Sequence, residues 1–184
     1  MLSTARAATV QHSGSIGANT VWSASDVHEV VGDVTVAAGV TLTIEPGTVV
    51  KFQGGRRLFV DGVIDANGSA VEPIVFTSYR DDSVGGDTNG DGPSAGVPGD
   101  WGHIELRDSV VDSLTSLSHF EIRYGGAYGH LLYVAQSSPS FSDCLLHYSS
   151  TRGLSVYAGS PEFIRCEFSD NAEQGVFHDW SGSP

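Results

Sequence analysis

The chain has 184 residues, 40% of them apolar, a formal net charge of −13 and a single lysine, Lys51. That length and apolar content suit one folded domain, and no run approaches the roughly 18 unbroken apolar residues of a membrane span. So acidic a surface argues against a nucleic-acid partner, because phosphate binding needs Lys and Arg, and it favours divalent cations.

Residues 1–25 are polar and weakly patterned, which predicts a loose arm or an N-terminal cap. The first ten residues lack the apolar core of a secretory signal. From Val34 the pattern becomes strand-like: Val34-Thr35-Val36, then Val40-Thr41-Leu42-Thr43-Ile44, then Thr48-Val49-Val50-Lys51-Phe52. These are short alternating runs rich in β-branched residues, broken at Gly39 and Pro46-Gly47. Leu58 to Ile64 and Pro73 to Phe76 continue the theme. No window shows a 3.6-residue period, so very little helix is expected. The segment 78–100 breaks the rhythm. It is rich in Asp, Gly, Asn and Pro and reads as a surface loop thrown out of the core.

The rhythm resumes at Trp101, read as an apolar anchor where the loop rejoins the core, and then repeats itself. Leu132-Tyr133-Val134 returns 22 residues later as Leu154-Ser155-Val156, and Ser138-Pro139-Ser140-Phe141 returns as Ser160-Pro161-Glu162-Phe163. Leu117 to Tyr124 aligns with Phe141 to Tyr148, 24 residues on, and Ile104-Glu105-Leu106 aligns with Leu132-Tyr133-Val134. A fixed period of this length, built from short alternations and turns, signals a solenoid in which each coil stacks on the last. A coil of that size holds three short strands, successive coils pair in parallel, and parallel crossovers are right-handed. The expectation is an all-β, right-handed parallel β-helix over 26–184 with roughly six to seven coils and one long loop insertion. The pattern runs on through Val176-Phe177-His178 without a terminal cap, which reads as a fragment of a longer solenoid with further domains of the same polypeptide.

Cys144 and Cys166 fall one period apart and should stack on adjacent coils. Their Cα atoms would be close enough for a disulfide, but parallel Cβ vectors are a poor geometry for one, so they read as a buried thiol ladder, with a disulfide as the alternative.

The runs Phe141-Ser142-Asp143-Cys144-Leu145-Leu146 and Phe163-Ile164-Arg165-Cys166-Glu167-Phe168-Ser169-Asp170-Asn171, each followed by a glycine (Gly153, Gly175), resemble the repeats of pectate-lyase-like right-handed β-helix proteins. Thr41 to Phe52 resembles the N-terminal coils of secreted bacterial proteins of that type. The resemblance covers about residues 30–184. It implies the fold and a secreted or cell-surface location. It leaves activity open, because lyases, hydrolases, epimerases, adhesins and phage tailspikes share this architecture.

Two groups of residues carry chemistry. Asp87-Thr88-Asn89-Gly90-Asp91-Gly92 places oxygen ligands at positions 1, 3 and 5 and glycine at position 6, as in the first half of an EF-hand-type calcium loop. The bidentate Glu of position 12 is missing, since Pro98 stands there. Asp81, Asp82 and Asp100 could fold back to complete the set around a structural Ca2+. The second group lies on the wall. Alternate strand residues point outward, and the repeat aligns them in columns: Glu105, Tyr133, Ser155, Phe177 beside Arg107, Ala135, Tyr157, Asp179. Of these, Tyr133, Tyr157, Phe177, Glu105 and Arg107 could contact a polysaccharide or cell-surface glycan, aromatics stacking on sugar rings and charges binding hydroxyls. A second face gives His119, Asp143, Arg165 beside Arg123, His147, Ser169.

No signature assigns a catalytic set. The resulting expectation is a secreted or cell-surface β-helix module, structural or carbohydrate-binding, with a calcium-stabilised loop. A polysaccharide lyase or glycoside hydrolase fragment is the alternative, and a phage tailspike-like segment a weaker one.

Overall fold

The computed structural model describes residues 8–179. Residues 1–7 of the expected arm and residues 180–184 lie outside it. Each strand pairs with strands one turn earlier or later, and all these pairings are parallel. The chain is a right-handed parallel β-helix with three faces. The first face stacks the leading halves of β1 (Ala8–Ile16) and β3 (Asp26–Val36), then β5 (Val49–Phe52), β8 (Ile74–Ser78), the trailing halves of β10 (Ser116–Arg123) and β12 (Ser140–His147), and β15 (Glu167–Ser169). The second stacks the trailing halves of β1 and β3, then β6 (Leu58–Val60), β9 (Ile104–Leu106), β11 (His130–Ala135), β13 (Arg152–Tyr157) and β16 (Val176–Asp179). The third stacks β2 (Thr20–Trp22), β4 (Thr41–Ile44), β7 (Val63–Asn67), the leading halves of β10 and β12, and β14 (Glu162–Ile164). Helix among the described residues is one short 3-10 turn, Asp112–Leu114, so no helix is long and apolar enough to cross a membrane.

The period-2 pattern explains the core. On the second face Val36, Val60, Leu106, Val134 and Val156 occupy one inward column and are all buried. Each such side chain contributes about 1.5–3 kcal/mol by leaving water. Phe141 and Phe163 stack at 4.7 Å with their planes 6° apart. Residues 8–25 enter the ladder as β1 and β2, although β1 is largely exposed, which is why it lacks an apolar pattern.

Single strands serve two faces because one residue turns the corner. His119, Asp143 and Arg165 hold φ of 47°, 52° and 53°, a left-handed conformation in which non-glycine residues are uncommon. They recur at the repeat spacing, so the corner is stacked as well.

That corner also corrects the cysteine reading. Cys144 and Cys166 are joined in a disulfide, with Cα atoms 4.4 Å apart. The thiol ladder assumed two continuous strands. Each cysteine instead follows a corner residue, and Cys166 falls in the gap between β14 and β15, where no strand pairing holds its Cβ parallel to its neighbour's.

The insertion 78–100 is not thrown outward. It folds back over the first face, so that Val27, Val75 and the outward-pointing Lys51 beneath it are buried. Lys51 Nζ donates to the Gly86 carbonyl at 2.5 Å. Gly96 lies flat on the Tyr124 ring, where a Cβ would collide with it. Trp101 closes the loop as an anchor: it is fully buried, stacks on Phe52 at 4.1 Å and donates its indole N–H to the Arg123 carbonyl at 2.8 Å.

The disulfide closes a 22-residue separation. The Cys144→Ser/Cys166→Ser variant is expected to unfold with about 3 kcal/mol less stability, the loop-closure value for that length. Urea melts of oxidised, reduced and variant protein check it. Coincident midpoints for all three would rule the contribution out.

Candidate functional site

Three places bring polar chemistry together. The first is the aromatic strip on the second face. The register aligns Glu105 with Tyr133, Tyr133 with Ser155 and Ser155 with Phe177, and in the next column Ala135 with Tyr157 and Tyr157 with Asp179. Ser155 is small and buried, so it leaves a dent between the two larger side chains in its column. Tyr133, Tyr157, Phe177, Arg152 and Asp179 line a shallow depression of about 210 Å³ there.

The rims of the strip are fixed by ion pairs and stacking. The Arg152 guanidinium lies 4.2 Å from the centre of the Phe177 ring and is held by Glu173 at 3.3 Å and Gln174 at 3.1 Å. His130 stacks on Tyr133 at 4.6 Å. Arg107 donates to Glu105 at 3.1 Å, reaches Asp61 at 3.5 Å and covers the Phe59 ring at 4.0 Å. A hydrogen bond from His103, then the Arg107 charge, hold the Glu105 carboxyl below its usual range. Burial raises the Tyr133 phenol, with Glu105, Tyr157 and Asp179 adding to the effect. The repeat located Tyr133, Tyr157, Phe177, Glu105 and Arg107. It did not single out His130 or Arg152, which flank the aromatics rather than share their columns.

The second place is the acidic loop. Asp82, Asp87 and Asp91 each present a carboxylate oxygen within 4.8 Å of the others. The glycine-rich segment forms a tight turn in which Asp87 accepts the Gly90 N–H at 2.6 Å and the Gly92 N–H at 3.1 Å, with both glycines at positive φ. Asp82 accepts Ser94 N–H at 2.7 Å through Oδ2, while its buried Oδ1 has no hydrogen-bond partner. Asn89 sits in the same turn, its Oδ1 facing the Asp91 N–H at 3.4 Å. Asp81 and Asp100 are not drawn into this group. Asp81 pairs with Arg123 at 2.7 Å and accepts the Thr77 hydroxyl at 2.6 Å, and Asp100 accepts Ser78 at 2.7 Å and the Val97 N–H at 2.9 Å. Both carboxylates serve to attach the insertion to the wall. Lys51 is the signal that was missed: burial lowers the pKa of its ammonium while Asp82, Asp81 and Asp87 pull the other way, so the wall itself supplies positive charge beneath the loop.

The third place is a closed charge network under the insertion. Arg123 donates to Asp81 at 2.8 Å, to Glu121 at 2.7 Å and to Ser83 at 2.8 Å, and the His147 ring pairs with Glu121 at 2.7 Å. Burial pushes both carboxyls up, but hydrogen bonds and the Arg123 charge more than offset it and hold Asp81 and Glu121 below their usual range. Asp143 is held down in the same sense by Arg165, which binds it with two contacts of 2.6 Å and leaves His119 at 3.9 Å.

Two histidine clusters escaped sequence reading altogether. His12 and His28 meet at 2.8 Å and stack around Trp22, and His103 meets His130 at 4.5 Å. They lie on non-repeating coils or between columns, so no period marks them.

Residues 14–91 match the family described as pectate-lyase like beta helix domain. The remaining coils carry the same solenoid onward in register. No curated protein and no solved structure matches the chain.

Burial lowers the His12 pKa to about 4, with His28 adding to it, lowers His28, and lowers His130 to about 3 with help from His103. An unfolded histidine titrates near 6.5, so the unfolded chain takes up these protons first. Stability is therefore expected to be complete above about pH 6.5 and to fall as pH drops toward about 4, before the paired carboxylates lose their contribution at lower pH. Thermal melts across pH 8 to 3.5 check this, and His130→Gln should flatten the upper part of the decline. A midpoint constant down to pH 4 would refute it.

Proposed function

We propose that this pectate-lyase-like β-helix is a secreted or cell-surface module that binds a carbohydrate chain on its second face, its long insertion held against the wall with the help of a calcium ion. The observation that carries the binding reading is the strip itself. Tyr133, Tyr157 and Phe177 come into one shallow depression, flanked by charged groups that can meet hydroxyls. Aromatic faces beside polar rims suit a sugar ring, which has an apolar face and a polar edge. The disulfide fits an oxidising compartment, where such bonds persist.

Binding is supported over glycoside hydrolysis by the state of the acids. Glycoside hydrolysis needs one carboxyl kept protonated to serve the leaving group, next to a second, ionised one. Burial pushes Glu121 and Asp81 up, yet hydrogen bonds from His147, or from Ser83 and Thr77, together with Arg123, hold both below the usual range, and His103 with Arg107, and Arg165, do the same for Glu105 and Asp143. The Arg123 network is also occluded: the side chains of Arg123 and Asp81 are 14% and 2% exposed.

The calcium reading rests on Asp82, Asp87 and Asp91, hard oxygen ligands at one point in a tight glycine turn. The unpartnered Asp82 Oδ1 fits a cation ligand. An ion there would neutralise carboxylates that otherwise repel one another and would fix the insertion over the first face.

Two measurements test these readings. Phe177→Ala and Tyr133→Ala are each expected to weaken retention on an immobilised polysaccharide by at least about tenfold, the ordinary effect of losing a buried aromatic anchor, with circular dichroism unchanged. Retention equal to that of the unaltered protein would reject the strip. Millimolar calcium is expected to raise the melting temperature and chelator to lower it, an effect absent in Asp87→Asn/Asp91→Asn. No response to either would count against a bound ion.

A further inference from the structure

Resting on the carbohydrate reading of the second face, we infer that the strip takes an uncharged glycan laid along the solenoid axis and discriminates against glycans that carry carboxylates. The direction follows from the register. The column Tyr133, Ser155, Phe177 runs across the strands, and two rungs of ordinary strand spacing separate its aromatics by about 10 Å. Buried Ser155 makes the floor between them, and Tyr157 stands beside it in the next column. A polymer lying along this line meets successive platforms. One lying across it meets a single strand's alternation.

The charge preference follows from how the rims are built. A uronate needs a cation able to turn toward it. The two arginines that border the strip are already held by carboxylates: Arg152 by Glu173, with its face against Phe177, and Arg107 by Glu105 and Asp61, with its face against Phe59. Recruiting either would break a pair already made and draw the guanidinium off its aromatic ring. His130, the other basic group in the depression, is pressed toward its neutral form by burial and by His103. Asp179 lines the depression and Glu105 stands one rung before Tyr133, so a ligand laid along the strip meets an acid near each end. The chain as a whole carries −13, which adds repulsion toward any polyanion within the Debye length of about 8 Å at physiological salt. Hydroxyls lose nothing in this setting. Carboxylate, tyrosine and guanidinium groups accept from them or donate to them, and the aromatic faces take the apolar side of the ring.

The test is binding of the whole chain, in 0.15 M NaCl with chelator present, to two matched sets of oligosaccharides: neutral glucan, mannan, galactan and xylan against polygalacturonate and alginate. At least one neutral polymer is expected to bind ten times or more tighter than any uronate, with Phe177→Ala abolishing the binding. Asp179→Asn and Glu105→Gln are expected to narrow the gap by raising uronate affinity, which a merely structural role for these acids would not do. Uronate binding as tight as neutral binding, and lost in Phe177→Ala, would overturn this inference and leave the strip as a carbohydrate site. Absence of binding to both sets, with the variants folded as judged by their melts, would overturn the carbohydrate reading and this inference with it.

Discussion

In-register parallel stacking is the constraint on which the rest of this structure depends. Each rung hydrogen-bonds to the next at one strand spacing, so a residue's neighbours are set by the residues one turn away. A side chain in such a ladder is one member of a column. The apolar column Val36, Val60, Leu106, Val134, Val156 builds the core, and the column Glu105, Tyr133, Ser155, Phe177 builds the strip. A slip of one residue would exchange the two, placing the aromatics inside and the valines in water. The same registry that stabilises the fold therefore places the surface chemistry.

Where the register is interrupted, electrostatics takes over. The insertion 78–100 has too few apolar residues to hold itself by burial. It is attached at its start through Asp81 to Arg123, at its middle through Gly86 to Lys51, and at its end through Asp100 to Ser78 and Trp101 against Phe52. Buried ion pairs of this kind add little net stability over an apolar contact of equal volume, because both charges must be taken out of water. They do favour one placement, since a displaced loop would lose the Asp81–Arg123 pair and the Gly86–Lys51 hydrogen bond together. The single lysine of the chain lies where a loop of acids folds over the wall.

The parts of the molecule legible in the sequence are those that repeat. The register of the last coils could be read from Leu132-Tyr133-Val134 against Leu154-Ser155-Val156, and the structure aligns those residues as the spacing predicts. The calcium-like turn could be read because Asp, Asn and Gly at fixed offsets form a local structure: Asp87 does close on Gly90 and Gly92. What could not be read depends on contacts between unlike parts. The fold-back of the insertion is set by Lys51 and Arg123, far away in sequence. The engagement of Asp81 and Asp100 with the wall follows from that fold-back. The disulfide depended on a corner conformation at Asp143 and Arg165 that side-chain alternation does not encode, because a lone Asp or Arg within an alternating run does not by itself mark a corner.

The arginines show how the acidity of the chain becomes a property of its surfaces. Arg57 is taken by Asp33, Arg107 by Glu105 and Asp61, Arg123 by Asp81 and Glu121, Arg152 by Glu173 and Arg165 by Asp143. Four of these guanidiniums also lie on aromatic rings, Arg57 and Arg107 on Phe59, Arg123 on Tyr124 and Arg152 on Phe177. Arginine serves here as an internal counter-ion and as a brace for aromatic side chains. Burial pushes Asp81 and Glu121 up, but hydrogen bonds and Arg123 hold them down, as His103 with Arg107 holds Glu105 and Arg165 holds Asp143, so these four acids stay ionised while their guanidiniums are already engaged. On the function proposed above, such a wall of paired charges and exposed ring faces offers partners to a ligand's hydroxyls and a platform to its apolar face.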